Sequence, residues 1–379
     1  MTRTASSSDP GPPGRAHLVL AVNPGAGSTK LALFRGGVPL AEESLRHDGA
    51  ELDRCPRVAD QLGSRLAAVR AFLGRSAGGE RLDAVVGRGG LLGPVPAGTL
   101  RVTEGMAEEL LRAPRGEHAS NLGAPLALAL ARQQGCPAFV VDPVSVDELE
   151  PAARVTGLAG VERRSFSHAL NIRAVARGHA RATGRRTADL NLVVAHLGTG
   201  VSLAGLKGGR MVDVVNPQDE GPFSGDRAGG MPVTAVVDMC FAPGAERGAV
   251  RRRLFGEGGL HSHLGTRDVR IALLRAEHGD AEAARVVEAM LLQIAKSAGG
   301  LAAALGGEVD AVLLTGGMAH VAGVVEPLRR RLGWIAPVVV YPGEDELRAL
   351  AEGALRVLRG EEEALEYAAA PPSTPAAQK

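Results

Sequence analysis

Short aliphatic runs separated by longer stretches of helical period dominate this chain. The runs Val19-Leu20-Ala21-Val22, Ala84-Val85-Val86, Ala138-Phe139-Val140-Val141, Leu192-Val193-Val194-Ala195, Ala311-Val312-Leu313-Leu314 and Pro337-Val338-Val339-Val340 are continuous rather than alternating. That is the pattern of strands buried on both faces. Residues 106–112, 123–134, 167–182, 280–305 and 345–365 carry a helical period instead. Alternation of the two patterns predicts an α/β fold with ligand loops at strand ends. Residues 1–15 and 368–379 are rich in Pro, Ser and Ala, show no apolar period, and read as disordered tails.

The plan occurs twice. Residues 18–23 read as a strand, 24–28 as a glycine turn, 29–34 as a second strand, and 38–44 as a third after Gly36-Gly37. The same order returns as 192–196, Gly198-Thr199-Gly200, 201–206, Gly208-Gly209 and 210–215. The glycine pairs fall about 172 residues apart, so a duplication is expected. A repeated β-hairpin with a glycine-rich turn, followed by α/β crossovers, resembles the plan of the actin-like (ribonuclease H-like) ATPases and of the acetate and sugar kinases. There two turns face each other across a central nucleotide cleft and grip phosphates through backbone N–H groups. Glycine permits that close approach.

Composition narrows the partners. Aromatic residues are 3% of the chain and the net charge is +1, from 43 basic and 42 acidic side chains. Neither a nucleic-acid surface nor an anionic membrane is indicated. Cys55, Cys136 and Cys240 are scattered, as in a reduced, cytoplasmic protein. No signal peptide is legible. The most apolar helical stretch, 289–305, is broken by Lys296 and two glycines and reads as a core helix.

The first loop, Asn23-Pro24-Gly25-Ala26-Gly27-Ser28-Thr29-Lys30, is not a Walker loop, which needs GxxxxGK followed by Ser or Thr. It lacks the third glycine of a dinucleotide fingerprint as well. It reads as a hairpin turn in which Asn23, Ser28, Lys30 and the amides meet phosphate. The second loop, His196-Leu197-Gly198-Thr199-Gly200, is its partner, with His196 facing the transferred phosphate. Arg88, in a Gly-Arg-Gly-Gly turn after a buried strand, and Arg227, in Gly-Asp-Arg-Ala-Gly-Gly, are planar forks suited to a carboxylate or a phosphoryl group. His261-x-His263 has metal-like spacing but no partner, and reads as a loop.

Eight segments in order now match one family: Val86 to Leu92, Gly116 to Gly123, Val141 to Val144, His168 to Asn171, Ala195 to Gly198, Gly221 to Ser224 with Asp226 to Gly230, Thr315 to Gly317, and Tyr341 to Glu346. From Leu18 to Tyr367 the chain resembles the acetate kinase family, in its butyrate kinase branch. The resemblance implies transfer of phosphate between ATP/ADP, with Mg²⁺, and a short-chain carboxylate, giving an acyl phosphate. It implies that Arg88 and Arg227 flank the phosphate and that His168 and His196 contact it, with His118 in a weaker role. It implies Asp142 near Mg²⁺ and Asp345, or its neighbour Glu346, as a second carboxylate. Thr315-Gly316-Gly317 should meet adenosine. It also implies a homo-oligomer and two actin-like halves, 16–150 and 151–344, with the helix at 345–367 packed back on the first.

Two departures stand out. Ala26 and Gly27 occupy positions where relatives usually carry hydroxyls, and Ser167 replaces a common Phe beside the acid pocket. The chemistry is consistent with the resemblance, since a carboxylate is already an anion at neutral pH and needs no general base. Acetate or propionate as the acid, and a catalytically weak ATP-binding module, are the alternative readings.

Overall fold

The computed structural model describes residues 16–368; both tails, 1–15 and 369–379, lie outside the described residues. The described residues form twelve strands: β1 (Leu18–Pro24), β2 (Ser28–Arg35), β3 (Val38–Arg46), β4 (Ala84–Gly87), β5 (Thr99–Arg101), β6 (Ala138–Val141), β7 (Asn191–Leu197), β8 (Val201–Lys207), β9 (Arg210–Val215), β10 (Ala311–Gly316), β11 (Val338–Pro342) and β12 (Leu365–Glu366). They make two sheets, ordered β12-β5-β6-β4-β1-β2-β3 and β11-β10-β7-β8-β9.

The duplication is visible in that order. β1, β2 and β3 form an antiparallel meander, and β4 and β6 continue from β1 in parallel. β7, β8 and β9 form the same meander, and β10 and β11 continue from β7 in parallel. Even the irregularity is repeated. The register slips between Leu33 and Phe34 in one meander and between Gly205 and Leu206 in the other. Each slip lies just ahead of a glycine pair, Gly36-Gly37 or Gly208-Gly209, whose φ values are all positive.

Each sheet has its own apolar packing. The helix Ala281–Ala304 buries Val286, Met290, Ile294 and Leu301 in the second core. It is the one helix among the described residues long and apolar enough to cross a membrane, and its apolar stripe is spent on that core. The helix Glu346–Leu358 follows β11 but packs on the first sheet. Leu347, Leu350, Ala351 and Leu355 meet Val19, Ala21, Val86 and Val141. This helix ends at Leu358, earlier than its period predicts. Gly360 turns the chain with φ 71°, and Leu365–Glu366 becomes strand β12, beside β5.

Candidate active site

The first glycine hairpin is tied down from behind. Gly25 N–H donates to the Ser28 carbonyl at 2.7 Å, and the Gly27 carbonyl accepts from His47 N–H at 3.0 Å. The carbonyls of Ala26 and Ser28 accept from Arg65 Nη2 and Nη1, each at 3.0 Å. In a trans peptide the next N–H points opposite to the carbonyl. The amide of Gly27 is therefore turned away from Arg65, and that of Ser28 away from His47, as a phosphate cradle requires.

Arg65 itself is 0% exposed. Nε and Nη2 donate to Gln61 Oε1 at 3.1 and 2.8 Å, and Nη1 also donates to Thr29 Oγ1 at 2.9 Å. Its hydrogen bonds all go to neutral acceptors, and burial lowers its pKa. Sequence reasoning missed this residue, because an arginine inside a helical period looks like a solvated one. The helix that bears it, Leu62–Ser76, has Val69, Phe72 and Leu73 on the same buried face.

The second hairpin carries side-chain chemistry instead. His196, 1% exposed at the end of β7, stacks on His168, with ring centroids 3.9 Å apart and an interplanar angle of 11°. Asn171 Nδ2 donates to His196 Nδ1 at 2.9 Å, so the ring proton is on Nε2, which lies 3.4 Å from Glu344 Oε1. Ser202 Oγ accepts from His168 N–H at 3.3 Å and sits 2.8 Å from His168 Nδ1. That hydroxyl can donate to Nδ1 or accept from it, so it pairs with either neutral tautomer of His168. Burial lowers the pKa of both rings, that of His196 to about 4, and Arg88 and Arg227 push in the same direction. Both histidines are neutral at pH 7. Gly198 and Thr199 form the turn, Gly198 N–H donating to the Gly200 carbonyl at 3.2 Å. Gly200 is packed against Arg227: a Cβ there would lie 2.4 Å from Nη1.

Arg88 and Arg227 both reach this centre. They, with His118 and His168, line a cavity of about 850 Å³ that extends along Leu91, Leu92, Val144, Ser145 and Ser165 to Ser167. Arg88 forms an ion pair with Glu346, and Asn23 Nδ2 donates to the other Glu346 oxygen at 2.5 Å. Asn23 of the first hairpin and His196 of the second thus meet two carboxylates, Glu346 and Glu344, on one short segment. His118 instead bonds locally, its Nδ1 lying 2.6 Å from Ser120 Oγ.

The two glutamates differ. Burial, and then Glu346, push the Glu344 carboxyl up, with Arg88 and Lys30 opposing. Burial opposes ionisation of Glu346 as well, but Arg88 and Asn23 outweigh it and hold that carboxyl below its usual range. Lys30 is exposed at the cleft end of β2, and Ser28 starts that strand.

Two expected metal-side residues are elsewhere. Asp142 is 0% exposed, with φ 38° at the end of β6. Its Oδ1 accepts from Gly98 N–H at 2.8 Å and lies 3.0 Å from Arg173 Nε, while Oδ2 accepts from Arg177 Nη2 at 3.0 Å. Burial opposes its ionisation, and the two arginines overcome it. Both oxygens are committed inside the protein, to a backbone amide and two guanidinium groups. Asp345 is the helix cap: it accepts from Arg348 N–H at 3.1 Å and pairs with Arg348 Nε at 2.8 Å, exposed at 63%. An N-cap side chain folds over its own helix end, which turns the neighbours Glu344 and Glu346 to the cleft. Among the described residues no group of three or more His, Cys, Asp and Glu is gathered for a metal. Glu344 and Glu346, the two carboxylates beside the hairpins, fit Mg²⁺ that completes its shell with phosphate and water.

On the far side of the second hairpin, Thr315 Oγ1 accepts from Asn171 Nδ2 and donates to the Gly343 carbonyl, both at 3.1 Å. Gly316, at φ 90°, lies so close to Leu197 that a Cβ would come 2.5 Å from its carbonyl oxygen. Gly317 is open, with nothing within 4 Å of where a Cβ would stand.

Residues 155–332 match the Acetokinase family. The acetate kinase of Porphyromonas gingivalis is similar over 90% of this chain and 100% of its own, with 19% identity and a TM-score of 0.74. A propionate kinase from Francisella tularensis subsp. tularensis SCHU S4 follows at 16% identity and a TM-score of 0.71, covering 89% of this chain and 98% of its own. Acetate kinase from Entamoeba histolytica is similar at 16% identity and 0.70, with the same two coverages of 89% and 98%. Identities this low carry the fold and not the substrate. The chain has the duplicated actin-like ATPase fold of these kinases, and its match to the Acetokinase family lies within the second half of that fold.

Proposed function

We propose that the protein transfers the γ-phosphate of ATP, reversibly, to the carboxylate of butyrate or a branched short-chain fatty acid. The observation that carries this reading is the convergence of Arg88, Arg227 and His168, on which His196 stacks, at a cavity of roughly 850 Å³. A carboxylate attacking a triphosphate needs charge screening and exclusion of water, not a base. Two guanidinium groups and the two neutral imidazoles supply the screening. The Gly27 and Ser28 amides with Ser28 and Lys30 hold phosphate, as do the amides of Gly198, Thr199 and Gly200. Thr315, Gly316 and Gly317 adjoin the adenosine. Mg²⁺ would be held by Glu344 and Glu346, where it would neutralise phosphate charge.

Ser167, 2% exposed, leaves more room beside His168 than a Phe would, which favours a four-carbon or branched acid over acetate. The helix Val233–Phe241 has no buried residue, and Phe241 is 84% exposed, so an apolar face is available to a second copy of the chain.

The test is trapping of acyl phosphate as a hydroxamate, with acetate, butyrate, isobutyrate and no acid, for wild type and Arg227→Ala. Butyrate or isobutyrate is expected to exceed acetate in kcat/KM. Arg227→Ala should lower kcat by about 10³-fold while MgATP affinity is retained. ATP hydrolysis indifferent to every acid would leave only an ATP-binding module.

A further inference from the structure

The wall of the cavity beyond the arginines carries hydroxyls that nothing in the protein uses. Ser145, Ser165 and Ser167 are 6%, 5% and 2% exposed, and all three line the cavity. None of their Oγ atoms has a hydrogen-bond partner. They belong to one surface. Ser167 N–H donates to the Val144 carbonyl at 3.1 Å, and Ser165 N–H to Asp147 Oδ2 at 3.3 Å, so segments 144–147 and 165–167 lie side by side.

Other hydroxyls at this centre are engaged: Ser202 with His168, Ser120 with His118, Thr29 with Arg65 and Thr315 with Gly343. Ser224 is also unpaired, but it does not line the cavity. Burying a hydroxyl without a partner is unfavourable, and a wall meant only for an alkyl tail is better built from methyl groups or rings. Here apolar Leu91, Leu92 and Val144 share the cavity with three idle hydroxyls.

Ser167 adjoins His168 in the chain. An acid whose carboxylate lies at Arg88, Arg227 and His168 therefore runs its second to fourth carbons along this wall. A serine hydroxyl both donates and accepts, and a turn about χ1 brings each Oγ, shielded in its present rotamer, to the cavity. We propose that the acceptor is a short hydroxy acid, whose hydroxyl satisfies Ser145, Ser165 and Ser167 while its carboxylate takes the phosphate. This rests on the carboxylate-kinase reading. In the step, a carboxylate oxygen forms the new bond to the γ-phosphorus. The bond from that phosphorus to the β–γ bridging oxygen breaks, and ADP leaves with the electron pair. The substrate hydroxyl is unchanged.

Matched acids test it. Hydroxamate formation is measured with butyrate, 2-hydroxybutyrate, 3-hydroxybutyrate and 3-oxobutyrate, for wild type and for Ser145→Ala/Ser167→Ala. Wild type is expected to favour one hydroxy acid over butyrate by about tenfold or more in kcat/KM. The double variant should invert that order, with an unchanged or higher Tm, since it only removes unpaired hydroxyls. Equal or better use of butyrate by wild type, the same preference in the double variant, or a lead for the oxo acid would each overturn the proposal. Acyl phosphate from none of the four acids, nor from acetate or isobutyrate, would bring down the carboxylate-kinase reading as well.

Discussion

The two glycine hairpins share a backbone and divide the work. The first, between β1 and β2, contributes main chain: Arg65 and His47 hold its carbonyls back, and no titratable side chain stacks on it. The second, between β7 and β8, contributes side chains: His196 on its strand, His168 stacked against it and Arg227 packed on its last glycine. Duplication supplied two hairpins, of which one is braced through its main chain and the other has gathered two histidines and an arginine. The loss of hydroxyls at Ala26 and Gly27 is tolerable on this view. In the proposed function the grip of the first loop rests on peptide orientation and on the buried cation behind it.

The contrast is broken most severely at Gly200. Gly200→Ala places a Cβ 2.4 Å from Nη1 and 2.7 Å from Cζ of Arg227. The flexible end of that side chain gives way. Turnover should fall on the order of 100-fold, with ATP affinity and Tm nearly unchanged. A large fall in Tm with normal turnover would mean that the hairpin is scaffold only.

A smaller change isolates the first hairpin. Gln61→Glu keeps the acceptor that holds Arg65 but neutralises a guanidinium which otherwise has neutral partners alone. The variant should bind ATP and ADP about tenfold more weakly in calorimetry, because the phosphates lose that field. Adenosine binding and Tm should not suffer. Equal ATP affinity in variant and wild type would show that the charge of Arg65 is not felt in the cleft.

The smallest effect is on pH dependence. An unfolded histidine titrates near 6.5, whereas folded His196 resists protonation down to about 4 and folded His168 is lowered too. The unfolded chain therefore binds more protons as pH falls below about 6.5. Stability is complete above that pH and declines towards 4, by up to ~1.4 kcal/mol per pH unit for each ring. Thermal melts of His196→Asn should show a shallower decline than wild type. Parallel curves would place the acid sensitivity elsewhere.

Much of this was legible along the chain. Buried strands announce themselves as aliphatic runs, and the paired glycines gave away the repeat. Arg88 and Arg227 stood out because a charge between glycines after a buried strand has few structural uses. What the sequence could not show was orientation. Asp142 and Asp345 have the right chemistry at the right ends of elements. Their fates were set by Arg173 and Arg177, a turn or more into another helix, and by the capping geometry of Arg348. Arg65, Asn171 and Ser202 were invisible for the same reason. Each acts across a distance in sequence, and only packing brings it to a loop or ring.

The helix Glu346–Leu358 has a further consequence, for how the protein is made. It covers the apolar face of β1, β4 and β6, and its close fit to Val141 leaves no room for a Cβ at Gly353, where the gap would be 2.4 Å. On a ribosome adding roughly 5–20 residues per second, that covering emerges on the order of ten seconds or more after the strands it shields. The nascent first sheet must wait with Val19, Val86 and Val141 uncovered. Glu346 travels on the same late segment, so a partly synthesised chain holds Asn23 and Arg88 without their carboxylate. The carboxylate partner of Asn23 and Arg88 and the cover of the apolar face arrive together.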